Sequence, residues 1–251
     1  MNKEEQLFCR RLQELADVCD RRGIPTYSDF LSLNEQSLFW QMQPEFSYVC
    51  AALEGLHPMA ERKIACFRPK GAGKIWSAPL SVVKISPLHA KFAEDLSHRD
   101  YLGTLLGLGL ERKKIGDIFI HERCAFVVCA EDLAEFLCEN LTRIRHTSVS
   151  CALTKAEEIQ FELKWKSVSG SVASFRVDAL IALAFHCSRS KAAELIAGER
   201  VFVNGRLISS PGAVLKKGDI VSARGMGRFV FSNEGNVTKK GRFFAEVNVY
   251  M

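Results

Sequence analysis

Between Leu80 and Leu153 the spacing of apolar residues switches from a period of two to a helical period and back, twice over, and few folds accept that order of elements. Strands are predicted at Leu80 to Ile85, Ile115 to His121, Cys124 to Cys129 and Ser148 to Leu153. Helices fall between them, from Arg99 to about Leu106 and from Glu131 to about Leu141, and Glu122-Arg123 makes a tight turn between the two middle strands. The order β-α-β-β-α-β is that of a ferredoxin-like sheet with two helices on one face.

RNA-recognition-motif domains share this architecture, as do many others, so it assigns no function by itself. Phe119 and Phe126 alternate with aliphatic residues, which is the pattern of core positions and not of a base-stacking strand. Around this central domain, residues 74–166, the chain reads as an α+β protein with three further parts. Residues 1–73 form a helical N-terminal domain, with Leu7, Leu12, Leu15 and Val18 on one helix face, a stop at Gly23-Ile24-Pro25, and short helices around Phe39, Trp40 and Phe46 to Leu53. Ser167 to Ser171 reads as a flexible linker or a strand end, ahead of a small domain at 173–234. A C-terminal strand at 235–251 has Phe243, Ala245, Val247 and Val249 on its buried face.

Charge singles out the small domain. From Phe175 to Phe231 there are nine Lys or Arg against four acids, a balance of +5. The 251-residue chain is also +5, so the remainder, with 25 residues of each sign, is neutral. Positive charge gathered in one segment suits a polyanionic ligand. Arg176 to Phe185 and the stretch from Ser188 to about Ala197 have helical spacing, with Ser188 as N-cap, and they leave Arg176, Arg189 and Lys191 unpaired near the joint. The hydroxyls of Ser188 and Ser190 and the first-turn amides add donors at a helix N-terminus that favours phosphate. Asp178 reads as structural, pairing with Arg176 or with a neighbouring amide. Val201 to Val203 and Leu207-Ile208 flank an Asn204-Gly205 hairpin turn, and Lys216 to Asp219 makes a second turn. The RNA-binding set predicted on this surface is Arg176, Ser188, Arg189, Ser190, Lys191, Arg200, Asn204, Arg206, Lys216, Lys217, Arg224 and Arg228.

Phe175-Arg176-Val177-Asp178, Ser188-Arg189-Ser190-Lys191-Ala192, Leu195-Ile196, Val201-Phe202-Val203-Asn204-Gly205 and Lys217-Gly218-Asp219 together resemble the ribosomal-protein S-four type of RNA-binding domain. That resemblance implies an αL arrangement of two helices against a small curled sheet. Two departures stand out. Glu199 holds the family's usual glycine position, with Gly198 one residue earlier, which points to a helix ending a residue sooner; His186-Cys187 replaces the usual Gly-Leu. The chain further resembles the YlmH family at His98-Arg99-Asp100-Tyr101-Leu102-Gly103, Lys114-Ile115-Gly116-Asp117-Ile118, Arg224 to Phe229 and Thr238 to Arg242. The resemblance implies a non-enzymatic bacterial RNA-binding protein in ribosome quality control. Its implied partners are RNA, with rRNA first and tRNA second, and a large ribosomal subunit that carries a stalled peptidyl-tRNA.

Other chemistry finds little support. His98-Arg99-Asp100 mimics a kinase tripeptide, but Leu105 stands where Asn is needed. Arg68 and Ile75 break the phosphate-loop pattern around Gly71 to Lys74, and Gly107-x-Gly109 lacks its third glycine. Nine cysteines without a Cys-x-x-Cys pair read as free thiols, and six dispersed histidines give no metal site. No catalytic residue, metal or cofactor is expected. The N-terminus lacks the apolar core of a signal peptide and no run is long enough to span a bilayer, so a cytoplasmic protein with no membrane partner is expected, and a monomer is compatible with the sequence. Two other readings compete: an accessory to RNA modification, because domains of the S-four type accompany such enzymes, and a cell-division-linked adaptor.

Overall fold

The computed structural model describes residues 3–57, 60–71, 76–159, 165–237 and 241–250. It divides into two compact units, Met1–Glu162 and Leu163–Met251. The boundary expected near residue 73 therefore lies inside the first unit, and the one expected near residue 234 inside the second.

The first unit opens with α1 (Lys3–Arg22), which buries Leu12, Ala16 and Cys19 along one stripe. Leu7, expected on that face, is 68% exposed. Gly23, at φ 63, ends the helix by donating its amide to the Cys19 carbonyl. Next come β1 (Thr26–Leu31), α2 (Leu33–Met42), β2 (Val49–Glu54) and β3 (Lys63–Pro69). Ser32 and Glu35 form a capping box at the start of α2. The three strands make an antiparallel sheet in the order β1-β3-β2.

This sheet corrects the expectation of a helical N-terminal unit. Ala51, Ala52 and Leu53 are good helix formers, yet they pair with Phe67, Cys66 and Ala65 across the ladder, because pairing and burial override a weak propensity. β3 hides its strand character because both its faces are buried. Ala65 and Phe67 pack with α1 and α2 residues, while Ile64 and Cys66 face the other way.

The central elements are β4 (Leu80–Pro87), α3 (His98–Gly107), β5 (Ile115–His121), β6 (Cys124–Ala130), α4 (Ala134–Asn140), β7 (Arg143–Ile144) and β8 (Thr147–Thr154). Their sheet runs β5-β6-β4-β8-β7 with antiparallel neighbours, the ferredoxin-like order. The turn between β5 and β6 has Glu122 at φ 52. One face, with Val83, Ile85 and Val127, packs against Tyr101 and Leu105 of α3 and Leu137 of α4.

The opposite face is the one an RNA-recognition motif leaves open for stacking. Here it is covered. Val82, Phe119, Phe126 and Val128 share a core with Phe30 of β1 and with Ile64 and Cys66 of β3. Phe119 and Phe126 are 3% and 2% exposed. Gly116 marks how closely the layers approach, since a Cβ there would lie 2.7 Å from the Phe30 ring.

The second unit comprises β9 (Trp165–Val172), α5 (Val177–Ala184), α6 (Arg189–Ala197), β10 (Val201–Val203), β11 (Arg206–Leu207), β12 (Ile220–Ala223), β13 (Gly227–Val237) and β14 (Phe243–Tyr250). The sheet order is β11-β10-β12-β13-β14-β9. Ser167 to Ser171, read from sequence as a linker or strand end, lies within β9 and pairs with β14. Val168, Phe229, Phe231, Ala245 and Val247 face the two helices, packing with Leu180, Ile181 and Leu195.

Candidate nucleic-acid interface

At the start of α5, Asp178 is 4% exposed, and its carboxylate gathers two arginines. Arg176 donates Nε to Oδ1 and Nη2 to Oδ2, both at 3.1 Å, in the bidentate fork that suits a carboxylate. Arg189, the first residue of α6, donates Nη2 to Oδ2 at 2.6 Å. Burial raises the Asp178 carboxyl, and the hydrogen bonds from Arg189 and Arg176 more than offset it, so the group sits below the usual carboxylate range. The expected unpaired arginines are therefore paired. Their side chains nevertheless remain 40% and 53% exposed, so the carboxylate fixes two guanidiniums side by side while leaving much of each open to solvent.

Ser188 caps α6 by accepting from the Lys191 amide at 3.1 Å. Lys191 pairs with Glu194 at 3.0 Å, an exposed i, i+3 contact that holds it only weakly. Ser190 is exposed on the same turn. Arg176, Ser188, Arg189, Ser190 and Lys191 thus gather where the N-terminal ends of α5 and α6 meet, and the helix dipoles add positive potential there.

The remaining predicted residues sit on the strands and turns. Arg200 donates Nη2 to the Arg224 carbonyl at 2.7 Å and lies against Gly225, pinning the turn between β12 and β13. Asn204 and Gly205, at φ 49 and 79, form the hairpin turn expected from sequence. The Asn204 amide is engaged at both ends, donating Nδ2 to Asp219 and accepting from the Ile220 amide, so it ties two turns together. Lys216 and Lys217 are exposed on the turn closed by Asp219. Arg206 is half-buried on β11. Arg224 stands 4.7 Å over the Phe202 ring, and Arg228 donates Nε to Ser222 at 3.0 Å.

Both departures from the S-four pattern have a backbone consequence. α6 ends at Ala197, and Glu199 adopts φ 56 with its amide on Ile196 and the Arg200 amide on Leu195, a Schellman closure. α5 closes alike, with His186 at φ 49 and the Cys187 amide on Ala182. The glycine at 198 does not shift the helix end. Two residues with side chains hold the left-handed positions that glycine favours.

Among the described residues no cluster of three or more His, Cys, Asp or Glu could hold a metal ion. The nine cysteines are free, and burial pushes Cys66 and Cys129 up to about 12, which keeps those thiols protonated. Among the described residues no helix is long and apolar enough to cross a membrane.

Residues 80–158 match the family described as "Putative RNA-binding domain in YlmH", and residues 175–221 match the S4 domain. The chain thus carries a YlmH-type RNA-binding domain followed by an S4 domain. The chain is 26% identical over 245 residues to the ribosome-associated protein quality control protein P2 of Bacillus subtilis (strain 168), covering 96% of this chain and 93% of that protein. Its fold resembles that of the cell division protein ylmH from Streptococcus pneumoniae, at a TM-score of 0.51 and 22% identity over 64% of this chain and 97% of the other. Sequence reasoning found the helix-end arginines but missed that Asp178 serves both of them. Position 178 lies two residues after Arg176 and eleven before Arg189, and no local periodicity reports the second contact.

Proposed function

We propose that this protein is a YlmH-type, non-enzymatic RNA-binding factor of the cytoplasm that associates with the ribosome in translation quality control. Its ligand on this reading is the large subunit carrying a stalled peptidyl-tRNA, touched at rRNA and tRNA through the S4 helix ends. The observation that carries the reading is the Asp178 clamp, which presents the guanidiniums of Arg176 and Arg189 together beside the Ser188-capped end of α6. Two fixed guanidiniums at a positive helix end suit adjacent phosphates of a folded RNA backbone, where position matters more than base identity. Similarity to the ribosome-associated quality control protein of Bacillus subtilis supports the ribosomal setting. The central domain acts here as a scaffold docked on the N-terminal sheet, because its stacking face is closed. Residues 173–234 form the RNA-binding domain.

Sedimentation of tagged protein through a sucrose gradient, with and without an antibiotic that stalls translation, tests this. The wild type should migrate with large subunits, more so after stalling, and should leave them as salt rises. Arg189→Ala with Lys191→Ala should shift the protein toward the top of the gradient while circular dichroism still shows a folded protein. Unchanged co-migration of that variant would remove the helix ends as the site.

A further inference from the structure

The outer face of the second unit's sheet, opposite the helices, carries side chains that the core does not require. Antiparallel registers align a row across it, with Phe202 of β10 opposite Ser222 of β12 and Ser222 opposite Arg228 of β13. At the far edge Tyr250 of β14 stands opposite Trp165 of β9. Arg228 closes the row, its guanidinium 6.0 Å from the Tyr250 ring centre and its Nε on Ser222. Above one end, Arg224 is stacked 4.7 Å over Phe202. Trp165 faces outward because Val168 and Val172, of opposite parity on β9, are buried, and it stays 46% exposed. The next outward positions on β9 are Ser167, Ser169 and Ser171, which leave the indole standing clear.

A cross-strand Trp–Tyr pair supports a sheet wherever it occurs, but it does not call for arginines beside it. An apolar docking face would exclude Arg224 and Arg228, and a merely solvated face would not keep Trp165 and Tyr250. Planar rings and guanidiniums interleaved with hydroxyls match one ligand chemistry well. Unpaired nucleotides stack on aromatic and guanidinium planes and set their phosphates against the cations. At the usual strand spacing, a row across these five strands runs about 19 Å, enough for a few such nucleotides. β9, β13 and β14 lie outside the residues that match the S4 domain, so most of the row does not come from that motif.

We propose that this face is a second RNA site, a stacking platform for single-stranded RNA built on Trp165, Tyr250 and the Phe202-backed Arg224, with Arg228 for phosphate. The proposal takes its ligand class from the RNA-binding reading above and assigns Arg224 and Arg228 away from the helix ends.

Fluorescence anisotropy with a labelled short oligouridylate, which forms no duplex, tests the full chain at low salt. Trp165→Ala with Tyr250→Ala should weaken binding about tenfold or more, and Trp165→Phe with Tyr250→Phe should restore most of it. Arg176→Ala with Arg189→Ala should leave oligouridylate binding unchanged while lowering ribosome co-sedimentation, so the two sites fail separately. Should the alanine pair unfold the unit, Arg224→Glu in its exposed turn carries the same expectation. Wild-type affinity in the folded aromatic variant, the result a protein-binding face would give, overturns the platform. So does absence of oligouridylate binding by the wild type.

Discussion

Asp178 is the residue on which the helix-end site turns, because one buried carboxylate positions two arginines that are otherwise long, exposed and entropically costly to hold still. Asp178→Ala should lower stability by roughly 1–3 kcal/mol and RNA affinity by about tenfold, read by urea unfolding and ribosome co-sedimentation. The sign of its pH dependence follows from the lowered carboxyl. Its contribution is complete above the unfolded carboxylate value near 3.9 and is lost as pH falls through the still lower folded value. The stability gap between wild type and Asp178→Ala should therefore be flat from about pH 5 upward and close only in stronger acid. His186 and Glu199 make the opposite case, where an exposed side chain occupies a left-handed position that glycine would hold without strain. His186→Gly and Glu199→Gly should each raise stability by roughly 1 kcal/mol, seen as a higher melting temperature of the second unit. A loss would mean that these side chains make contacts worth more than the strain.

Elements with strict periodicity were legible in the sequence. β5 is predicted and found at Ile115–His121, and α5, α6 and the Asn204-Gly205 turn stand where their caps and turn residues put them. One failure has a plain physical cause, which is that a strand buried on both faces shows no alternation. β3, with Ile64 to Phe67 buried continuously, escaped for that reason, and β2 was lost with it because its Ala-rich run is strand only by virtue of its partner. The small serine-rich β9 escaped because its polar outer positions mimic a linker. The cover on the central sheet was equally invisible, since Phe119 and Phe126 read as core without revealing what they pack against. Gly116→Ala puts that cover to the test. Its Cβ would meet the Phe30 ring at 2.7 Å and the Val128 carbonyl at 3.1 Å, so the variant should lose roughly 1–3 kcal/mol in the first unit. Phe30→Leu should recover part of that loss.

At the scale of the whole molecule, the division into two compact units separates a slightly acidic first unit, with 20 Lys or Arg against 23 Asp or Glu, from a cationic second unit, with 14 against 6. Association dominated by phosphate contacts releases counterions, so affinity should fall steeply with salt while the fold persists. The connectivity of the second unit carries a further consequence. β9, its first strand, pairs with β14, its last, from Trp165–Tyr250 to Val172–Phe243, and among the described residues it lies at the edge of the sheet with no other strand neighbour. The sheet is fastened like a clasp whose hook and eye are made at opposite ends of the segment. During synthesis the helices and short hairpins can form early, but the edge must wait, and its closure demands the longest loop in the unit. Nascent chains arrested before Phe243 should therefore remain sensitive to protease around β9, whereas chains extended past Tyr250 should become resistant there. A reader of RNA would thus acquire its finished sheet only after nearly all of it had left the machine that made it.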